Sequence, residues 1–123
     1  MNNSIFSLQN KVALITGGAS GLGEAVARKL SKNGYSVAIL DMNAERGNTL
    51  ATELGKAIFI PCNVADEKQV ENAVKETVKA FGCLQVVINC AGIIHAGVLV
   101  TKKGPLAAEA MQKVLSANVI GTF

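Results

Sequence analysis

The sequence predicts an α/β fold, a parallel sheet wound with helices on both faces. Short β-type runs alternate regularly with helical runs along 123 residues, a length suited to one domain. The β-type runs are continuously apolar rather than alternating, as strands buried on both faces are. Right-handed crossovers between such strands then restrict the topology to a doubly wound sheet.

The elements follow in order. Lys11-Val12-Ala13-Leu14-Ile15-Thr16 is an apolar strand ending in glycines. From Leu22, apolar positions at Leu22, Ala25, Val26 and Leu30 form a helical stripe that closes at Asn33-Gly34. Ser36-Val37-Ala38-Ile39-Leu40-Asp41 is the second strand. Asn43 caps a helix carrying Leu50, Ala51 and Leu54, stopped by Gly55. Ala57-Ile58-Phe59-Ile60 is the third strand. Asp66 followed by Gln69 resembles a capping box; the helix after it shows Val70, Ala73, Val74, Thr77, Val78 and Phe81 on one face, with Gly82 as the stop. Leu84-Gln85-Val86-Val87-Ile88-Asn89 is the fourth strand. A long loop follows, and a last helix begins near residues 105–109 and runs toward the end.

Composition excludes several functions. Half the residues are apolar and 17% are charged, the balance of an ordinary globular protein. The net charge of +3 comes from scattered cations such as Arg28, Lys29, Lys68, Lys75 and Lys79, which read as solvated helix faces and not as a nucleic-acid patch. Cys62, Cys83 and Cys90 have no metal spacing and no even pairing, so no metal site is expected, and the setting is expected to be reducing and cytoplasmic. Residues 1–10 lack the basic start and apolar run of a signal peptide, and no stretch approaches the ~20 apolar residues that span a bilayer.

The chemistry starts at Thr16-Gly17-Gly18-Ala19-Ser20-Gly21-Leu22-Gly23, between the first strand and first helix. Strand before, helix after and an acid closing the next strand form the context of a Rossmann-type dinucleotide site. Gly17 permits the sharp exit from the strand, Gly21 lets a pyrophosphate approach the backbone, and Gly23 brings the helix close to the sheet. Phosphates would meet free N–H groups at the helix start, so Gly17, Ser20, Gly21, Leu22 and Gly23 are candidate cofactor-binding residues. Asp41 can accept from the ribose hydroxyls of the adenosine; it would repel the extra phosphate of NADP, and no arginine is its immediate neighbour, so NAD is the expected cofactor. The blander readings are a plain glycine turn and a strand-end Asp that caps a turn.

The loop has the form TGxxxGxG. Together with Asn89-Cys90-Ala91-Gly92 after the fourth strand, it resembles the short-chain dehydrogenase/reductase family, over about residues 12–123. The resemblance supports strand order 3-2-1-4 and implies that Asn89, Ala91 and Gly92 steady the sheet and line the cofactor site. Cys90 stands where the family usually has a second asparagine. Asn63-Val64 matches the segment bordering adenine, usually Asp-Val; the asparagine keeps an acceptor for the adenine amino group and gives up the charge. Asn118 matches the helix asparagine of a catalytic Asn-Ser-Tyr-Lys tetrad, which helps hold the lysine and the proton path. The finer likeness is to type II 3-hydroxyacyl-CoA dehydrogenases, which carry a similar GGASGLG loop and a lysine-lysine-glycine loop, here Thr101-Lys102-Lys103-Gly104-Pro105. Lys102 and Lys103 read first as solvated loop lysines, with attraction of CoA phosphates as the alternative.

The resemblance also implies an oxidoreductase exchanging hydride between NAD and a secondary alcohol or ketone, a 3-hydroxyacyl-CoA by preference, assembled as a homo-oligomer. Departures are plain. The only tyrosine, Tyr35, is followed four residues later by Ile39, so no YxxxK exists, and Ser116 stands on the wrong segment for the family serine. His95 reads as a surface or packing residue. Residues 1–123 are therefore expected to form a dinucleotide-binding domain, incomplete on its C-terminal side. The sheet would be truncated after the fourth strand and its following helix, leaving that strand an open edge, and the chain would be inactive alone. The alternative is a non-catalytic nucleotide-binding module or an inactive fragment.

Overall fold

The computed structural model describes residues 10–123. The reading of the N-terminus as no signal peptide falls on residues mostly outside that range. Strands β1 (Val12–Thr16), β2 (Ser36–Asp41), β3 (Ala57–Pro61) and β4 (Val86–Asn89) form one parallel sheet in the order β3-β2-β1-β4, as expected. Helices α1 (Gly21–Lys32), α2 (Ala44–Leu54) and α3 (Glu67–Phe81) connect them.

The two faces of the sheet hold separate cores. On one, Ala13, Ile15, Val37 and Ile39 pack under α1 and α2 through Ala27 and Leu50. On the other, Leu14, Ala38, Leu40 and Ile60 meet α3 at Ala73. Asn43 caps α2 by accepting from Arg46 N at 3.1 Å, and Asp66 caps α3 by accepting from Gln69 N at 3.2 Å. Gln69 does not complete a reciprocal box, because its Oε1 accepts from Asn63 N at 2.8 Å instead. No helix among the described residues is long and apolar enough to cross a membrane.

Several expectations are corrected. The buried stripe of α1 is Gly23, Val26, Ala27 and Leu30; Leu22 is 82% exposed and Ala25 is exposed. Close approach through the small residues Gly23 and Ala27 sets which side of α1 faces the sheet, and it turns Leu22 away. On α3, Ala73 and Thr77 are fully buried and Val70 and Phe81 pack against the edge of the core as expected, while Val74 and Val78 stand at the exposed flank. β4 starts at Val86 rather than Leu84, because the Gln85 side chain occupies the entry and its Oε1 accepts from Val12 N at 2.8 Å. β3 extends through Pro61, whose missing N–H is tolerated on an edge strand.

The long loop after β4 contains a small antiparallel hairpin, β5 (Val100–Thr101) and β6 (Gly104–Pro105), with Lys102 and Lys103 at its turn. The last helix is two pieces. α4 (Ala108–Leu115) passes into a π-helical turn at Ser116–Ile120, closed by Gly121 N donating to Ser116 O at 2.8 Å.

Candidate functional site

Crossing from β3 to β4 carries the chain from one flank of β1 to the other, so the crevice beyond the strand ends opens beside β1, where doubly wound sheets bind ligands. A cleft of about 440 Å³ lies there. The β1–α1 loop forms its floor. Gly17 has φ of 62°, and a Cβ on it would fall 2.8 Å from the Ala91 backbone, so the loop after β1 touches the turn after β4. Thr16 locks that contact: its buried Oγ1 accepts from Cys90 N and Ala91 N, each at 3.1 Å. Thr16→Val keeps the shape and leaves Ala91 N without its acceptor, so it is expected to cost about 1–2 kcal/mol. Thermal unfolding followed by circular dichroism checks this; an unchanged midpoint would contradict it.

The other side of the loop is tied to β2. Gly18 N donates to Leu40 O at 3.1 Å, and Ala19 N donates to Asp41 Oδ2 at 3.1 Å. Asp41 Oδ1 accepts from Asn43 N at 3.0 Å. The carboxylate therefore joins the glycine loop to the start of α2 and keeps unused lone pairs at the cleft. Ser20 is the N-cap of α1 in an extended conformation, and its side chain makes no capping bond. The first N–H groups of α1 have no intrahelical acceptor, and no protein atom lies within 4 Å of a Cβ built on Gly21. A cradle of free donors at the positive end of a helix fits a pyrophosphate.

Arg28 and Arg46, the arginines nearest this corner, are both engaged. Glu24 bridges them at 2.9 and 3.3 Å, and Glu53 binds Arg28 at 2.7 Å. The Arg28 hydrogen bond holds the Glu24 carboxyl below the usual range, with Arg46 adding to it.

At the end of β3, Asn63 N donates to Gln69 Oε1, Asn63 O accepts from Asp66 N at 3.0 Å, and Asn63 Oδ1 accepts from Ala65 N at 3.0 Å. Cys62, beside it, is buried, and burial pushes its thiol pKa up, with the Asp66 carboxylate adding to the effect.

The cleft brings together ten of the residues singled out in the sequence: Gly17, Ser20, Gly21, Leu22, Gly23, Asp41, Asn63, Val64, Ala91 and Gly92. Asn89 is not among its lining residues; it ends β4 and is exposed. Met42, Cys62, Cys90, Ile93 and Ala117 complete the lining. Of these, Met42, Cys62 and Cys90 each follow the last residue of a strand, which is the signal that could have found them.

Asn118 does not line the cleft but holds one wall of it. Its Nδ2 donates to Ile93 O and its Oδ1 accepts from Ile93 N, both at 2.8 Å. Its own carbonyl accepts from Thr122 Oγ1 at 3.2 Å. The π turn carries Asn118, a local distortion of the kind that accompanies functional positions. Tyr35 is buried in the core just before β2, at the opposite end of the strands from the cleft. His95 faces a separate shallow hollow with Glu109 and Lys113.

Comparison with known proteins agrees with this geometry. The family model described as "short chain dehydrogenase" matches residues 11–123. The chain is 41% identical over 119 residues to 3-hydroxyacyl-CoA dehydrogenase type-2 of Drosophila melanogaster, covering 94% of this chain and 47% of that protein. It is 43% identical over 116 residues to short-chain dehydrogenase reductase 4 of Arabidopsis thaliana, covering 93% of this chain and 38% of that one. Among solved structures, a 3-ketoacyl-(acyl-carrier-protein) reductase from Brucella melitensis complexed with NADH superposes with a TM-score of 0.87 at 32% identity, over 94% of this chain and 47% of that one. The chain thus spans about half the length, or less, of the curated relatives it matches. A sheet ordered β3-β2-β1-β4, a glycine loop at its switch point and a match from residue 11 to residue 123 lead to one conclusion: this chain belongs to the short-chain dehydrogenase family of oxidoreductases, with that family's nicotinamide-dinucleotide-binding fold.

Proposed function

We propose that residues 1–123 form the cofactor-binding domain of an NAD-dependent oxidoreductase acting on a secondary alcohol or ketone. The carrying observation is the meeting of the open N-terminus of α1 with the Asp41 carboxylate in one cleft. The N–H groups of Gly21, Leu22 and Gly23, with the Ser20 hydroxyl, hold the pyrophosphate. Asp41 accepts from the ribose diol of the adenosine, and Asn63 and Val64 border the base. Gly17, Ala91 and Gly92 border the nicotinamide half, and Asn89 steadies the end of β4 from outside the cleft. Asn118 positions the wall at Ile93. When bound, the nicotinamide ring supplies hydride exchange with the carbon bearing the substrate oxygen.

The preference for NAD over NADP is supported by charge. A 2′-phosphate would face the Asp41 carboxylate, while Arg28 and Arg46 are already paired with glutamates. Calorimetric titration with NADH and NADPH tests this: NADH is expected to bind at least tenfold tighter, and equal affinities would contradict the assignment.

A 3-hydroxyacyl-CoA is the preferred substrate class. It is supported by the name of the relative in Drosophila melanogaster, and by Lys102 and Lys103 at the exposed β5–β6 turn, where they can attract phosphates. A homo-oligomer is supported by Val87 on β4 and by Met111 and Leu115 on α4, large apolar side chains that stand exposed. The alternative, a nucleotide-binding module without turnover, is favoured by the position of Tyr35, the chain's one tyrosine, which has no access to the cleft.

A further inference from the structure

We propose that Glu24 helps to set the cofactor preference from outside the cleft, by occupying Arg46 and so withholding it from a 2′-phosphate on the adenosine ribose. The inference rests on the dinucleotide reading of the cleft. It adds a second device to Asp41: the carboxylate repels the extra phosphate, and Glu24 removes the cation that would receive it.

Ala19 stands between the two charged groups. On one side its N–H donates to Asp41 Oδ2 at 3.1 Å, the carboxylate assigned to the ribose. On the other it lines a hollow of about 250 Å³ together with Glu24, Arg28, Arg46 and Glu53. Arg46 lies in the first turn of α2, whose N-cap residue Asn43 donates its own N–H to Asp41 Oδ1 at 3.0 Å. Arg46 thus starts one helical turn from the corner where a 2′-phosphate would stand.

Glu24 joins α1 to α2 with one oxygen for each arginine. Its Oε1 accepts from Arg28 Nε at 3.1 Å and Nη2 at 2.9 Å, and its Oε2 accepts from Arg46 Nη2 at 3.3 Å. The two arginines are not equally held. Arg28 has a second partner in Glu53 at 2.7 Å, whereas Glu24 is the one ion-pair partner of Arg46 among the described residues. Glu45 lines the same hollow and pairs with neither arginine. Neutralising Glu24 therefore leaves Arg28 engaged and frees Arg46. A free guanidinium can offer a phosphate two parallel N–H donors, a geometry that suits that anion.

Glu24→Gln keeps the shape and can still accept from Arg28. It is made in the original chain and in Asp41→Ala, where the 2′-phosphate is no longer repelled. NADH and NADPH are titrated into each and followed by the fluorescence of the reduced nicotinamide; circular dichroism establishes that each variant is folded. In both backgrounds Glu24→Gln is expected to raise the ratio of NADPH to NADH affinity about fivefold, the upper range for an exposed ion pair. Adding Arg46→Gln is expected to cancel the gain. If Glu24 merely tied α1 to α2, its loss would weaken both nucleotides alike and leave the ratio where it was. NADH binding with a ratio unmoved by Glu24→Gln, or a gain that survives Arg46→Gln, would overturn the inference and leave the cleft assignment standing. Failure of the folded original chain to bind either nucleotide would overturn both.

Discussion

Gly23→Ala is expected to collapse nucleotide binding and to lower stability by about 3 kcal/mol, the upper range for forcing an atom into a packed interior. The added Cβ would overlap the Gly17 carbonyl oxygen and stand 2.7 Å from the carbonyl carbon. Neither is the tip of a flexible side chain. Gly17 cannot retreat, because it already lies against the Ala91 backbone across the end of the sheet. The helix must therefore lift from the loop, which moves the free N–H groups away from the phosphates and opens the contact at buried Ala27. For a domain of this size the loss corresponds to a fall in Tm of roughly 10 °C. Thermal unfolding and an NADH titration read the two effects. A variant with unchanged Tm and unchanged affinity would show that α1 does not depend on this approach.

Asp41→Ala is expected to weaken NADH by about ten- to a hundredfold, the magnitude of hydrogen bonds to a charged group, and to weaken NADPH far less. The two nucleotides separate because removal of the carboxylate costs the ribose contact for one and relieves repulsion of the 2′-phosphate for the other. The carboxylate also holds Ala19 N at 3.1 Å, so some loss common to both is expected from a loosened loop. Asp41→Asn divides the contributions, since its amide oxygen can still accept from Ala19 N while the charge is gone. Competition titrations with both nucleotides provide the measurement, and equal losses for the two in Asp41→Ala would sink the ribose assignment.

The sheet was legible because its signals are local. Continuous apolar runs marked β1 to β3 within a residue or so, and Asn43, Asp66, Gly55 and Gly82 marked helix ends where the backbone does turn. The glycine loop was legible for the same reason, as its spacing encodes a backbone shape. Leu22 shows where periodicity fails. It fits the helical stripe in sequence, yet contact through Gly23 and Ala27 turns it toward the cleft, and small residues carry little weight in an apolar pattern. The β5–β6 hairpin was missed because two-residue strands around Lys102 and Lys103 leave no alternation to read. The π turn was missed because it is a shift of one residue in the backbone hydrogen bonding, Gly121 N to Ser116 O, which leaves no mark on the apolar spacing. Such facts belong to tertiary structure and have no counterpart in spacing.

The central claim, that the loop after β1 and Asp41 already form a dinucleotide site in this chain, is tested most directly by calorimetric titration of the purified protein with NADH. Saturable binding of one NADH per chain, abolished by Gly23→Ala, is the predicted result. A folded chain that releases no heat of binding and shows no shift in Tm at saturating NADH would contradict the account.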